Sequence, residues 1–236
     1  MNTTALTPDK STTAADNASA YPTAEDTAST GPTGGFNPYA EQSATPPGGR
    51  EVIADPTIED VMMTGTLPEM SFGRTDAPVT VIEYASMTCS HCATFHNRTY
   101  PELKKRYIET GKVKYILREF PIDPLAAGAF MLARCAGKDK YFPLVETLFN
   151  QQTKWVTQKP IEPLMQIARQ AGFTQQTFDA CLKDQKMLEG IEAVRNRGAD
   201  KFGVSSTPTF FINGKKFTGV MSIEDMAKEI DPLLKG

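Results

Sequence analysis

The stretch Thr80–Phe95 constrains this chain more than any other, because it runs a short apolar strand directly into a C-x-x-C pair at the start of a helix. Val79, Val81 and Ile82 are β-branched and predict a buried strand. Thr88 offers a side-chain oxygen at the predicted helix N-cap, with Cys89 in the first turn and Cys92 one turn later. Helical i, i+3 spacing sets both sulfurs on one face with α-carbons roughly 5 Å apart, within the reach of a disulfide. A helix start also presents free N–H groups and about half a positive charge. His91, between the cysteines, adds a donor or a cation. A Cys89 thiolate is therefore expected to be stabilised, with its pKa lowered into the range of about 3.5–7.5. Cys92, deeper in the helix, is the expected resolving thiol.

The same motif is also half of a zinc site. Zinc wants four ligands, and structural sites supply a second closely spaced pair. Only His91 and His96 lie near, while Cys135 and Cys181 stand alone. The strand leading into the motif favours redox chemistry, and no metal or organic cofactor is called for.

Residues 1–50 are dominated by Thr, Ala, Ser, Pro and Gly and lack hydrophobic periodicity. Such a segment buries too little apolar area to offset its ordering entropy, so it reads as a disordered tail or linker ahead of a domain spanning 51–236. The tail holds five acids (Asp9, Asp16, Glu25, Asp26, Glu41) against Lys10 and Arg50, which is the whole formal charge of −3. The remainder is neutral, which argues against nucleic acid as a partner. No stretch is long and apolar enough to span a membrane. The start shows no signal peptide, and the tail would suit a spacer behind a leader or anchor not present in this sequence.

After a helical turn or two at Pro56–Met63, an edge strand is expected at Leu67–Phe72 and the core strand follows. The helix after Cys92 is expected to be disturbed near Pro101 and to resume to about Glu109, with Gly111 closing it. Lys112–Phe120 reads as a second core strand, making a β-α-β unit with parallel strands and a right-handed crossover. Helical patterns then follow at Leu125–Cys135, Tyr141–Gln151, around Leu164–Ala168, at Thr174–Leu182 and at Met187–Phe202: a helical insertion at about 124–200. Phe210–Ile212 form a strand, Asn213-Gly214 signals a type I′ hairpin, and Lys216–Thr218 returns antiparallel. Ser222 and Asp225 open a final helix. Pro208 is a cis candidate by position only, and spacing leaves that open.

Together, Glu83, Cys89-Ser90-His91-Cys92, the helical insertion and the loop Val204–Phe210 resemble the DsbA-type thiol:disulfide oxidoreductases, from about Phe72 to the C-terminus. The resemblance implies an α/β thioredoxin fold with an inserted helical domain. It implies Cys89 as nucleophile, Cys92 as resolving thiol, His91 as the residue that stabilises the thiolate, and Glu83 as a buried acid able to relay protons to Cys92. Pro208 would be the family's cis-proline and Thr207 would offer backbone groups to an extended substrate. Without the resemblance, Glu83 reads equally as a solvated acid at a strand edge. Cys135 and Cys181 are either two small buried hydrophobes or a structural disulfide. The second is favoured because both lie in the insertion, the implied compartment is oxidising, and some members, the α-proteobacterial type among them, carry a second disulfide there.

The implied activity is insertion of disulfides into reduced, unfolded proteins in the periplasm or another extracytoplasmic space, with reoxidation by a membrane quinone-linked thiol oxidase. Two departures bear on this. Ser90 stands where the best-known oxidases have proline, and Thr207 is a type also found in isomerases. The alternatives are a disulfide isomerase or reductase of the same fold, and a non-catalytic peptide-binding or zinc-holding module.

Overall fold

A central strand that is apolar on both faces must be covered on both faces, and the chain is arranged to do so. The computed structural model describes residues 52–53, 56–63, 65 and 67–235. The expected disorder of residues 1–50 lies outside the described residues. Five strands form one sheet in the order β1-β3-β2-β4-β5: β1 Met70–Phe72, β2 Val79–Ala85, β3 Val113–Glu119, β4 Thr209–Ile212 and β5 Lys215–Thr218. β2 and β3 run parallel, with Glu83 opposite Leu117, while β4 lies antiparallel on the other side of β2, with Glu83 opposite Phe210. β1 and β5 are antiparallel edges.

Alternation along β2 splits the interior in two. Val79, Val81 and Ala85 belong to the larger core, with Phe95, Tyr115 and Phe210. Ile82 and Tyr84 face a smaller one with Ile116, Phe211, Phe202 and Val204. Glu83 shares the parity of Val81 and Ala85, so a carboxyl group is placed on the side of the larger core.

The helices are α1 Ile58–Met62, α2 Ser90–Arg98, α3 Tyr100–Leu103, α4 Pro124–Cys135, α5 Lys138–Asn150, α6 Gln152–Trp155, α7 Ile161–Gln170, α8 Gln175–Leu182, α9 Gln185–Phe202 and α10 Ile223–Leu233. α2 packs on α5, and α4 packs on α5, α8 and α9. Pro101 has no N–H to offer the Asn97 carbonyl, and the helix after the motif breaks into α2 and α3. It then widens into a π turn at Lys104–Ile108, where Glu109 N–H donates to the Lys104 carbonyl at 2.9 Å. The expected helix to about Glu109 is thus present, though its widening into a π turn goes beyond the expectation, and α6 has no counterpart among the expected helices. α9 crosses β2 at Gly198, where a Cβ would stand 2.5 Å from the Tyr84 ring. The Asn213-Gly214 turn has positive φ at both residues (45° and 93°), as a type I′ hairpin requires.

One local expectation is corrected. The N-cap of α2 is Cys89, not Thr88. Thr88 is engaged elsewhere: its hydroxyl donates to Asp123 Oδ2 at 2.5 Å, and Asp123 in turn caps α4 by accepting from Ala126 N–H at 2.7 Å.

Candidate active site

As the N-cap residue, Cys89 places its sulfur where the free N–H groups of α2 converge. Sγ accepts from Cys92 N–H at 3.4 Å, and the Cys89 thiol donates to the Thr207 carbonyl at 3.3 Å. The second contact joins residues 118 apart in sequence and brings the loop before β4 against the motif. The Thr207–Pro208 peptide is cis. Both cysteines are free thiols. Cys89 keeps 9% exposure, whereas Cys92 has none.

This asymmetry separates the two sulfurs electrostatically. The Cys89 pKa is lowered to about 5, chiefly by the hydrogen bond from the Cys92 thiol, with the Thr207 side chain and the backbone N–H groups of Cys92 and His91 adding to it against the opposing effect of burial. Burial pushes the Cys92 thiol well up, and its bond to Cys89 and a negative charge on Glu83, when ionised, push the same way. One sulfur is an anion at neutral pH and its neighbour a thiol, which is the division that thiol–disulfide exchange uses. His91 contributes through its backbone N–H; its ring is exposed and makes no hydrogen bond to a described residue.

Glu83 is fully buried. Its Oε2 accepts a short hydrogen bond from the Tyr115 hydroxyl and lies 3.0 Å from His96 Nε2. The solvated-edge reading of Glu83 therefore does not hold, since β2 is central and not an edge. Cys135 and Cys181 are bridged, joining α4 to α8 with α-carbons 6.2 Å apart and 46 residues between them in sequence. Among the described residues no three His, Cys, Asp or Glu side chains converge in a way that could hold a metal ion.

Gln152, on α6, belongs to the site although nothing in the sequence marks it. It is buried, and its side-chain amide donates to the carbonyls of Met87 at 2.8 Å and Cys89 at 3.0 Å. Gln152 thus ties the helical layer to the turn carrying Cys89. Its signal is a long-range contact from a four-residue helix, which periodicity does not reveal.

A family profile described as thioredoxin matches residues 66–232. A Rickettsia bellii protein named "Putative protein-disulfide oxidoreductase" is 36% identical over 197 residues, covering 81% of this chain and 75% of its own. Disulfide bond formation protein D of Bacillus subtilis is 26% identical over 175 residues, covering 70% and 76%. The crystal structure of Wolbachia pipientis alpha-DsbA1 superposes with a TM-score of 0.70 at 30% identity, over 76% of this chain and 96% of the other. By the profile match and by these likenesses, the chain belongs to the DsbA-type thiol:disulfide oxidoreductases of the thioredoxin superfamily, of the α-proteobacterial kind.

Proposed function

We propose that this oxidoreductase works in the oxidising direction, donating the Cys89–Cys92 disulfide to reduced protein substrates outside the cytoplasm. The observation that carries the reading is the pKa of Cys89, lowered to about 5 beside a Cys92 raised well above its ordinary value. A substrate thiolate attacks Cys89 Sγ; the bond between the two cysteines breaks and its electron pair leaves on Cys92. A second substrate thiolate attacks the substrate sulfur of the mixed disulfide, and Cys89 departs as a stabilised thiolate. A reduced form stabilised in this way makes the disulfide a strong oxidant. In this scheme Cys89 is the nucleophile, Cys92 the resolving thiol, Glu83 the proton partner of Cys92, and Thr207 and Pro208 the backbone against which an extended substrate aligns. His91 assists through its place between the cysteines.

A membrane quinone-linked thiol oxidase would restore the disulfide. The Cys135–Cys181 bridge supports an oxidising compartment, and no helix among the described residues is long and apolar enough to cross a membrane. The proposal includes the division into a tail to residue 50, which would tether or space the enzyme, and a unit over 51–236 whose insertion spans about 124–200.

Equilibration with glutathione buffers tests the direction, read by thiol alkylation or by the fluorescence of the buried Trp155. A potential above the oxidising poise of about −180 to −210 mV supports the oxidase. A potential near or below that of glutathione in a reducing compartment, about −220 mV or lower, makes the same site a reductase, with Ser90 and Thr207 the first residues to exchange.

A further inference from the structure

Thiol–disulfide exchange at this site must deliver a proton to, and remove one from, a sulfur that water does not reach. Cys92 has no solvent exposure. His96 follows it by four residues on α2, so its ring lies one turn along the same helix face. That ring is buried, stacks on Phe149 at 4.1 Å, lies 5.0 Å from the Tyr100 ring, and reaches Glu83 Oε2 through Nε2 at 3.0 Å.

Among the described residues, three buried side-chain polar atoms have no hydrogen-bond partner: Glu83 Oε1, His96 Nδ1 and the Tyr100 hydroxyl. All three belong to this one cluster. An unpaired buried polar atom is costly, so their concentration around a carboxyl–imidazole pair calls for a reason. The pair is also asymmetric. Oε2 accepts from Tyr115 and lies 3.0 Å from His96 Nε2, while Oε1 is left without a partner. His96 and Tyr100 also line an open groove of about 830 Å³, together with Asn97, Lys104, Glu146 and Gln151. The cluster therefore borders this groove, with its polar atoms still buried, and has Cys92 on its own helix face.

The groups around the imidazole are Glu83 from β2, Cys92 from its own helix, Tyr115 from β3, Tyr100 from α3 and the apolar Phe149 from α5. Within the groove, Lys104 and Glu146 pair with each other at 2.8 Å, and Lys105 and Glu109 also line it. Burial, reinforced by nearby carboxylates, pushes the phenols of Tyr100 and Tyr115 up, so neither gives up a proton near neutrality.

We infer that His96 is the second carrier of a proton path running from the groove through Glu83 to Cys92. His96 acts through Glu83 and so is a positioning residue; the inference rests on Glu83 being the proton partner of Cys92. When a substrate thiolate breaks the Cys89–Cys92 bond, the electron pair leaves on Cys92 Sγ. That thiolate takes the proton carried on Glu83 Oε1. Glu83 is reprotonated at Oε2 by the Nε2 proton of His96, and Nδ1, buried at rest, takes one from a water admitted from the groove that His96 lines. The net change is one solvent proton delivered to Cys92 and an imidazole converted from its Nε2–H to its Nδ1–H tautomer. Reoxidation of the dithiol runs the transfers backwards and resets the ring.

Two measurements test this. In the first, single-turnover reduction of the disulfide by a cysteine-containing peptide is followed between pH 5 and 8 for wild type, Glu83→Gln and His96→Gln. Glutamine at 96 keeps an N–H donor for Glu83 but carries no proton. Expected are rates about tenfold lower at pH 7 in both variants, with the Cys89 thiolate still titrating near 5 by its ultraviolet absorbance. A slow Glu83→Gln beside a normal His96→Gln overturns the role of His96 and leaves that of Glu83. Normal rates in both overturn the role of Glu83 as well, and a slow His96→Gln beside a normal Glu83→Gln overturns the path through the carboxyl. The second measurement needs no variant. The chain has only two histidines, so nitrogen-15 shifts of the imidazoles report the ring directly: Nε2–H when oxidised and Nδ1–H when reduced supports the path, and one tautomer in both states overturns it.

Discussion

Cys89 and Cys92 release their protons in widely separated pH ranges, and this fixes how the redox couple responds to pH. Below about 5 the reduced site carries both protons; above it Cys89 is a thiolate and only Cys92 holds one. Two electrons are therefore accompanied by two protons below that point and by one above it. The potential should fall by about 59 mV per pH unit below pH 5 and by about 30 mV per unit through neutrality, as glutathione equilibration at a series of pH values would reveal. Stability follows the same sign. At pH 7 the unfolded chain still holds the Cys89 proton that the folded reduced chain has lost, so the stability of the reduced form should rise with pH from about 5 towards the ordinary cysteine range, and that of the oxidised form should not. Denaturant titrations of both forms at pH 5 and pH 8 check it. His96 was readable only as one of two histidines near the motif; its i+4 spacing from Cys92 is in the sequence, but the acid it meets lies on another element.

At the level of elements, Gln152 and Gly198 make separable predictions. Gln152→Leu removes a two-pronged donor and leaves the Met87 carbonyl buried without it, a cost of about 1–3 kcal/mol in a thermal or urea titration. Because the same amide steadies the turn that presents Cys89 to the α2 N–H groups, its loss should also raise the thiolate pKa, read by ultraviolet absorbance of the reduced protein. Gly198→Ala forces a methyl group against the Tyr84 ring and should cost about 1–3 kcal/mol while leaving the thiolate titration where it is. These positions also mark how far local pattern reaches. The β-branched residues of β2, the Asn213-Gly214 turn and the Ser222 cap declare their elements because the physics that selects them is local. The C-x-x-C pair likewise declares its chemistry. Thr88 misleads for the converse reason: a good capping side chain is drawn off by Asp123, 35 residues away, leaving the cap to a sulfur. The π turn, α6 and the Cys89–Thr207 contact depend on packing that no window of sequence contains.

The whole molecule is held by ties between layers as well as by its two cores. Arg134 on α4 donates to both carboxylate oxygens of buried Glu119 at 2.7 and 2.9 Å, and Tyr141 on α5 donates to the same group at 2.9 Å. The Cys135–Cys181 bridge pins α4 to α8 across 46 residues. Replacing both with alanine should lower the unfolding free energy by about 2–4 kcal/mol, because the unfolded chain regains the freedom the cross-link removed. Denaturation of the double variant beside the wild type measures this, and the glutathione equilibrium of Cys89–Cys92 gives an independent check that the motif is intact. The different accessibility of the cysteines has a practical corollary. A maleimide of several kilodaltons added to the reduced, folded chain should attach once, at Cys89, since Cys92 has no exposed surface and the other two sulfurs are bonded to each other. Added after unfolding in detergent without reductant it should attach twice, so a gel-mobility assay of the native chain would score a fully reduced enzyme as half reduced.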